Sequence, residues 1–472
     1  MNKFQFIVFV FLGVLMKLNA QNPYLPEDYL SNNFHKERRE ALRKLMPKNS
    51  VAIIFANPIR NRSNDVDYLY HQDPNFYYLT GFKEPHSLVL IFKEEQKLNN
   101  KSFNELLFVQ EKNEYLEMWY GKRLGINGAK DKLGYKDVFN GTTFLNIAID
   151  FSKYSTILFQ NLHNDVRNTR EEADLYNLIA SFEKKLKNVD ERKINKKSLP
   201  YFMASLREIK TKDELVLLKK AIEISAIGQI EIMKAMHPKM SELEVQGVHE
   251  FVYKKYGAEY EGYPSIVGAG GNGCILHYIE NNKVEVEDGK LVLMDLGAEY
   301  HGYTGDVTRT IPANGIFSTE QKQIYDLVYK AQEAAIKAAK VGSSFTKPNK
   351  VSKDIINKGL VELGIIDSEN DYHNYYPHMA SHHLGLDVHD ASNFGKLKEN
   401  MVITVEPGIY IPKGSNCDEK WWDIAVRIED DILITDKGPI NLSSKAPRTS
   451  EAIELLMKEA SVLDSFVLPK LE

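Results

Sequence analysis

The chain has 472 residues, 43% of them hydrophobic and 26% charged, which is enough material for more than one domain core. Its formal net charge is −5, so it lacks the basic excess typical of proteins that bind nucleic acids or anionic membranes. The 25 tyrosines and 22 phenylalanines favour a folded chain over a disordered one.

The first twenty residues, MNKFQFIVFVFLGVLMKLNA, have the organisation of a secretory signal peptide. Lys3 precedes an apolar segment at residues 6–16, and the small residue Ala20 is followed by polar residues. We expect cleavage near Ala20, a secreted or periplasmic mature protein, and no stable membrane association afterwards. An uncleaved anchor is the alternative, although the apolar segment is short for a membrane span.

Helical and strand patterns alternate in the first half of the mature chain. We predict a helix at residues 34–46 and strands at residues 50–56, 87–92 and 105–110. This alternation indicates a mixed α/β domain. Residues 183–200 are highly charged, which predicts a linker or the end of a helix followed by one.

The second half opens with a strong helix signal. Thr211 is a candidate N-cap and Glu214 follows three residues later, which is a capping box ahead of a helix at residues 211–236. Further helices are expected at residues 241–256 and 319–340.

Residues 291–310, LVLMDLGAEYHGYTGDVTRT, place two acids around a predicted turn. A hairpin centred between Tyr300 and His301 would put Asp295 directly opposite Asp306, and like charges there are destabilising. Either the register differs and both acids are solvated, or a positive group lies between them.

Acids recur at strand ends in this half of the chain, at Asp295, Asp306, Glu406 and Glu429. Histidines cluster as well, at His277, His378, His382, His383 and His389. A lone histidine is more often a core or surface residue than a ligand, but five in two short windows favour a site.

Two Asp, two Glu and one His form a suitable ligand set for two divalent ions. The oxygen-rich donors favour Mn²⁺, with Co²⁺, Zn²⁺ or Fe²⁺ as alternatives. Four carboxylates also need about two dications for neutrality. Cations between Asp295 and Asp306 would explain how both acids face one another.

The order Asp295, Asp306, His382, Glu406, Glu429 resembles the dinuclear metallopeptidases with the pita-bread fold, which include methionine aminopeptidase, prolidase and aminopeptidase P. The matching strings are VLMDLGAEYHGYTGDVTRT, SHHLGLDVHD, TVEPGIYI and VRIEDDILIT. Residues 38–85 resemble the N-terminal domain of aminopeptidase P. The resemblance implies an α+β protein in which the signal peptide at 1–20 is followed by a mixed α/β domain at 21–190 and a pita-bread catalytic domain at 195–472.

The family resemblance also implies roles for individual residues. The metal ligands would be Asp295, Asp306, His382, Glu406 and Glu429, with Asp306 and Glu429 bridging two ions. Glu406 would also move a proton from the attacking hydroxide held between the metals. His277, His378 and His389 would bind substrate and stabilise the tetrahedral intermediate. Arg427 and Asp65 would form a linked pair that connects the site to the N-terminal domain.

The implied activity is release of the N-terminal residue from peptides with proline in second position. Prolidase, which cleaves X–Pro dipeptides, is the nearer alternative, and an inactive binding homologue on the same fold is the more distant one. Met379 stands where relatives often have glycine, so we expect it to reshape a substrate-facing wall. A homo-oligomer, dimer or tetramer, is expected. The two cysteines, Cys274 and Cys417, could pair in an exported protein, but two isolated cysteines far apart in the chain favour unpaired thiols.

Overall fold

The structure is a computed structural model that describes residues 28–98, 101–465 and 468. The predicted signal peptide therefore lies outside the described residues. No helix in the described part of the chain is long and apolar enough to cross a membrane. Cys274 and Cys417 are both free thiols, as expected.

The N-terminal half is built on one six-stranded mixed sheet flanked by helices. Its strands are β1 (Ser50–Phe55), β4 (Leu88–Leu98), β5 (Lys101–Val109), β6 (Val138–Asn140), β7 (Thr156–Leu158) and β8 (Ile194–Asn195), while β2 (Asn61–Ser63) and β3 (Val66–Asp67) form a separate hairpin. Its helices are α1 (Asn32–Leu45), α2 (Pro74–Thr80), α3 (Glu114–Tyr120), α4 (Gly125–Leu133), α5 (Gly141–Asn146) and α6 (Leu175–Leu186).

The sheet order is β6-β5-β4-β1-β7-β8. Its central strand β1 is buried along its whole length, because it pairs antiparallel with β4 and parallel with β7 and has apolar neighbours on both faces. The mixed α/β prediction is confirmed, as are the predicted helix α1 and strand β1, with small shifts at their ends. The predicted strands β4 and β5 are also present, but β4 extends further at its C-terminal end and β5 begins earlier than predicted, because the two strands continue as one long hairpin.

The charged stretch at residues 183–200 contains the end of α6 and the short strand β8, and α7 (Ser198–Arg207) begins within it. Of the two interpretations offered from sequence, the helix end followed by a connection is the one observed. Helix α7 leads directly into the second half of the chain.

The second half combines long helices with short antiparallel strands. Its helices are α8 (Lys212–Ala235), α9 (Glu242–Lys255), α10 (Thr319–Ala338), α11 (Lys347–Glu362) and α12 (Ser450–Leu456). Its strands are β9 (Tyr260–Glu261), β10 (Ile266–Ala269), β11 (Leu291–Leu296), β12 (Ala298–Tyr300), β13 (Tyr303–Thr304), β14 (Val307–Pro312), β15 (Val402–Val405), β16 (Gly408–Ile411), β17 (Ile424–Arg427), β18 (Asp430–Thr435) and β19 (Gly438–Asn441).

The three long helices predicted from sequence are confirmed as α8, α9 and α10. Each begins at a complete capping box, in which the N-cap side chain and the N3 side chain exchange hydrogen bonds with the backbone. The helices pack on the short strands around one apolar cluster, which includes Ile232, Val292, Ile324 and Val426. This is the expected α+β architecture.

The hairpin around Asp295 has a different register from the one predicted. Strand β11 pairs with β14 so that Asp295 lies opposite Thr308, not Asp306. The turn is centred between His301 and Gly302, which both have positive φ (52° and 89°), as a tight hairpin turn with two left-handed residues requires. Moving the turn by one residue moves the partner of Asp295 by two.

The two halves share one apolar cluster. Phe76 and Tyr77 of α2 belong to it, together with Leu218 and Ile222 of α8 and Tyr300 of β12. Because both halves contribute buried side chains, the N-terminal half is firmly packed against the half that carries the acids and histidines.

Candidate metal centre and active site

A pocket of about 550 Å³ opens on the second half of the chain. Polar side chains from six separate segments converge at it, and apolar residues form much of the remaining wall. The titratable and cationic groups that line it are His277, Asp295, Asp306, His378, His382, His389, Glu406, Arg427 and Glu429. The structure therefore brings together every sequence-predicted site residue except Asp65.

Asp295 and Asp306 approach each other although they are not direct cross-strand partners. Asp295 is the penultimate residue of β11, and Asp306 directly precedes β14. The hydroxyl of Tyr263 lies between them, with Oη 2.5 Å from Asp295 Oδ1 and 2.6 Å from Asp306 Oδ1. Burial and the negative charge of Asp295 raise the pKa of Asp306. The pair is thus a concentrated, poorly solvated negative charge, and not two solvated acids.

His382 faces these acids from the loop that precedes β15. Its Nε2 lies 3.3 Å from Asp306 Oδ2 and 3.4 Å from Glu406 Oε1. Its Nδ1 is 3.1 Å from the carbonyl oxygen of His383, which can only accept a hydrogen bond, so Nδ1 carries a proton. Burial opposes a charge on His382, but the neighbouring acids outweigh it and raise its pKa to about 9.

Glu406 follows β15, and its Oε1 accepts a hydrogen bond from Thr404 Oγ1 at 3.0 Å. Burial raises the pKa of Glu406 to about 7; Asp306 and Asp295 act in the same direction, and His382 and Arg427 oppose them. Thr404 Oγ1 also accepts from the backbone N–H of His382 at 3.1 Å. One threonine therefore fixes the relative positions of a predicted ligand histidine and a predicted ligand glutamate.

Glu429 lies between β17 and β18 and is almost completely buried. Its Oε2 accepts from Thr308 Oγ1 at 2.6 Å, and its backbone N–H donates to the carbonyl of Thr308 at 3.1 Å. The fully buried Arg309 donates to the carbonyl of Glu429 and to Asp430 Oδ1. Burial and the surrounding acids raise the pKa of Glu429 well above its usual range.

These residues fit a metal centre. Asp306, His382 and Glu429 each offer a ligand atom, and the three atoms lie within 4.8 Å of one another. Burial, and after it the repulsion between the acids, raises the pKa values of Asp306, Glu406 and Glu429. Divalent cations would compensate this buried negative charge. Carboxylate oxygens with one imidazole are suitable donors for such ions.

Arg427 and Tyr410 connect the acids to His378. Arg427 donates from Nη2 to Asp295 Oδ2 at 2.6 Å and from Nη1 to Tyr410 Oη at 2.9 Å. Tyr410 Oη is 2.8 Å from His378 Nε2, and His378 Nδ1 is 2.9 Å from the carbonyl of Met379. Burial and the Arg427 charge lower the pKa of His378 to about 4, so this imidazole is neutral with its proton on Nδ1.

The other two predicted substrate histidines are more exposed. His277 and His389 both line the pocket and both have solvent access. The ring of His389 packs edge-on against the ring of His382, with centroids 4.3 Å apart. Met379, also on the pocket wall, has 46% of its surface exposed, so it can contact a bound molecule.

Asp65 is not part of this pocket. It is exposed in the turn between β2 and β3, and the side-chain hydrogen bonds of Arg427 within the described chain go to Asp295, Thr308 and Tyr410. The predicted contact between Asp65 and Arg427 is therefore not made within the described chain, because Arg427 satisfies its donors there with residues from its own half.

Sequence reasoning missed Tyr263, Thr308, Thr404 and Arg309. The two threonines were recoverable, because each lies two residues from a predicted ligand and so shares its side of the strand. Tyr263 lies more than thirty residues before Asp295, and no local pattern marks it.

Comparison with known proteins agrees with this geometry. Residues 216–436 match the family model described as "Metallopeptidase family M24", and residues 35–157 match "Aminopeptidase P, N-terminal domain". Xaa-Pro aminopeptidase of Escherichia coli K12 is 35% identical over 455 residues, which covers 91% of this chain and 99% of that protein. The corresponding enzyme of Haemophilus influenzae is 36% identical, covering 89% of this chain and 96% of that protein.

The solved structure of E. coli aminopeptidase P with the inhibitor Pro-Leu superposes with a TM-score of 0.81 at 34% identity, covering 91% of this chain and 98% of that one. Both halves of the chain are thus matched in sequence and in structure. The protein belongs to metallopeptidase family M24, and within it to the members that carry an aminopeptidase P N-terminal domain.

Proposed function

We propose that the protein is a metal-dependent Xaa-Pro aminopeptidase, which releases the first residue of peptides that have proline in second position. The observation that carries the proposal is the convergence of Asp306, His382 and Glu429 within 4.8 Å, beside Glu406, in one pocket. The relatives named Xaa-Pro aminopeptidase, matched over both halves of the chain, support the proline specificity.

The proposed cofactor is a pair of divalent ions, with Mn²⁺ favoured by the oxygen-rich donor set. Asp295, Asp306, His382, Glu406 and Glu429 would hold the ions, with Asp306 and Glu429 as the shared ligands that the family resemblance implies. When bound, such ions polarise a carbonyl and make hydroxide available near neutral pH. This chemistry suits an X–Pro bond, a tertiary amide without an N–H that a catalyst could recognise.

The chain's own residues supply the proton transfers and the orientation. Oε1 of Glu406 is held by Thr404, which leaves Oε2 to accept a proton and pass it to the leaving nitrogen. His277 and His389, exposed on the pocket wall, can donate to a developing oxyanion. His378 is held by Met379 and Tyr410, so it would form part of the wall against which the proline ring packs.

The decisive experiment compares three substrates with Mn²⁺ added: Xaa-Pro-Yaa, Xaa-Ala-Yaa and the Xaa-Pro dipeptide. We expect rapid release of the first residue from the proline tripeptide alone. Equal turnover of the alanine and proline tripeptides would refute the assignment, and cleavage of only the dipeptide would identify a prolidase. An N-acetylated tripeptide should be a poor substrate, because the acidic site would bind the free α-amine.

The number of ions is tested separately by elemental analysis. Asp306→Asn should reduce the metal content per chain at both positions, because a shared ligand loses its charge. Retention of two ions at wild-type affinity would show that Asp306 is not a bridge.

We also propose that the mature protein is exported and begins near Gln21, on the basis of the N-terminal signal described above. N-terminal sequencing of protein from the native host tests this proposal. An intact Met1 on soluble cytoplasmic protein would refute it.

We further propose that the protein forms a homo-oligomer. Helix α3 exposes a group of large apolar side chains, Tyr115, Met118, Trp119 and Tyr120, each at least 65% exposed. Such patches are typical of protein–protein contact sites. Light scattering should show a dimer or tetramer, and Trp119→Asp should shift it towards monomer. A monomeric wild-type protein would contradict the proposal.

A further inference from the structure

A buried cluster of charges joins the connection between the two halves to the loop that carries His382 and His389. We name Arg207, Lys210, Asp387 and Asp390 the linker cluster. Arg207 Nη2 lies 2.5 Å from Asp390 Oδ1 and 2.8 Å from Asp387 Oδ2, and Lys210 Nζ lies 2.8 Å from Asp390 Oδ2. The reaction proposed above uses none of these residues.

The cluster is unusual because three of its four charges are removed from solvent. Arg207, Lys210 and Asp390 are 3%, 2% and 5% exposed. Buried ion pairs of this kind often contribute little net stability, because the desolvation of the ions offsets their attraction. They do impose a defined geometry, since each ion must keep its partners. A role in positioning is therefore more consistent with the cluster than a role in stability alone.

Asp390 transmits that geometry to both histidines. It directly follows His389, and its backbone N–H donates to the carbonyl of His383 at 2.8 Å. The same carbonyl accepts from Nδ1 of His382 at 3.1 Å. A displacement of Asp390 would therefore move His389 through the chain and His382 through their shared acceptor.

Gly385 completes the packing around Asp390. A Cβ on this residue would lie 2.3 Å from Asp390 Oδ2 and 3.0 Å from Lys210 Cε. The loop thus closes tightly over the ion pairs, and no larger residue fits at this position without displacing them.

The other end of the cluster reaches the N-terminal half. Arg207 Nη1 donates to Asn75 Oδ1 on α2 at 2.8 Å, and Tyr78 Oη of α2 donates to the carbonyl of Leu206 at 3.1 Å. The backbone N–H of Lys210 donates to the carbonyl of Asn400, just before β15. The cluster therefore contacts the N-terminal half, the loop that carries His382 and His389, and the start of β15, the strand that Glu406 follows.

We propose that Arg207 and Lys210 are positioning residues, which act through Asp390 to hold His382 and His389 in the arrangement that binds metal and substrate. Because Arg207 also contacts Asn75, the same cluster would make the geometry of the metal site depend on the N-terminal half. Asp65 does not make such a contact within the described chain. This inference rests on the proposed function, but its test has a readout that does not require activity.

The test is Asp390→Asn, which keeps the shape of the side chain and removes its charge. Titration with Co²⁺, followed by its visible absorption, should show an affinity about 10- to 100-fold weaker than that of the wild type, the usual effect of losing a residue that orients a ligand. The kcat for Xaa-Pro-Yaa should fall by a similar factor, about 10- to 100-fold.

The matched control is Glu105→Gln, which breaks a largely buried ion pair on the N-terminal sheet, outside the pocket. Arg39 Nε lies 2.9 Å from Glu105 Oε2, and the two side chains are 2% and 18% exposed. This variant should lower the Tm but bind Co²⁺ with wild-type affinity. The inference is overturned if Asp390→Asn behaves like Glu105→Gln, with a lower Tm and unchanged Co²⁺ affinity.

Two further variants keep the test decisive. If Asp390→Asn does not fold, Lys210→Met takes its place, because Asp390 then still has Arg207 as a partner. Wild-type Co²⁺ affinity in Lys210→Met would overturn the inference. Asn75→Ala should weaken Co²⁺ binding by a smaller factor, and no change would overturn the dependence on the N-terminal half. If the wild-type protein cleaves no proline peptide, the proposed function is wrong. The Co²⁺ affinities of the variants and the wild type would still test whether the linker cluster positions the metal site.

Discussion

The guanidinium of Arg427 donates to Asp295 Oδ2 at 2.6 Å, and only 4% of the Arg427 side chain is exposed to solvent. Burial opposes ionisation of Asp295, but the Arg427 charge and the hydrogen bonds at the carboxylate together lower its pKa. Asp295 is thus kept ionised beside Asp306, whose pKa is raised. Arg427 is thus a buried partner of a predicted metal ligand.

Arg427→Lys tests that partnership. Lysine keeps a charge but cannot donate simultaneously to Asp295, Thr308 and Tyr410, because it lacks the planar fork of arginine. We expect kcat/KM for Xaa-Pro-Yaa to fall about 10- to 100-fold, with weaker metal binding. Unchanged kcat and metal content would show that Arg427 only balances charge.

Tyr263→Phe removes the hydroxyl that lies between Asp295 and Asp306 and keeps the ring. We expect metal affinity about tenfold weaker or more, because both carboxylates lose the group that orients them. Tyr260→Phe is the matched control, since its hydroxyl donates to the carbonyl of Tyr70, away from the acids. Equal metal affinity in the two variants, measured by titration, would contradict the prediction.

Glu406→Gln should lower kcat far more than it raises KM, because it removes a proton transfer that occurs in the transition state. Loss of a general acid or base typically costs about 10²- to 10⁴-fold in rate. Metal content must be measured on the same preparation, since Glu406 is also a predicted ligand. A fully loaded variant with wild-type kcat would exclude Glu406 from proton transfer.

His249 on α9 should make the fold sensitive to acid. It is fully buried, neither ring nitrogen has a hydrogen-bond partner within the described chain, and burial lowers its pKa to about 4. The unfolded chain therefore binds the proton more readily, so stability is complete above pH ~6.5 and decreases as the pH falls towards 4. The loss corresponds to about 3 kcal/mol of unfolding free energy.

His249→Leu should remove this part of the acid sensitivity. Urea unfolding at pH 7 and at about pH 4.5 should give a smaller difference for the variant than for the wild type. His237→Leu is the control, because His237 is exposed and its replacement should leave the pH dependence unchanged. Equal pH dependence of the wild type and His249→Leu would contradict the prediction.

The sequence by itself determined the mixed α/β character of the first half, the three long helices of the second, and the acids and histidines of the candidate site. These features are local, because each depends on a short stretch of residues. Examples are the capping box at Thr211, the apolar run at β1 and the acids at strand ends. The strings around Asp295, His382, Glu406 and Glu429 also indicated the family, because they resemble those of its known members.

Only the tertiary structure decided which groups meet. The shift of one hairpin turn to His301 and Gly302 placed Thr308 opposite Asp295, and Tyr263, distant in sequence, filled the space between the two acids. Arg427 pairs with Asp295 and not with Asp65, and Arg207 pairs with Asp390, which lies 183 residues away in the chain. Such contacts depend on how elements pack, because a buried polar group takes whichever partner the fold brings within hydrogen-bonding distance.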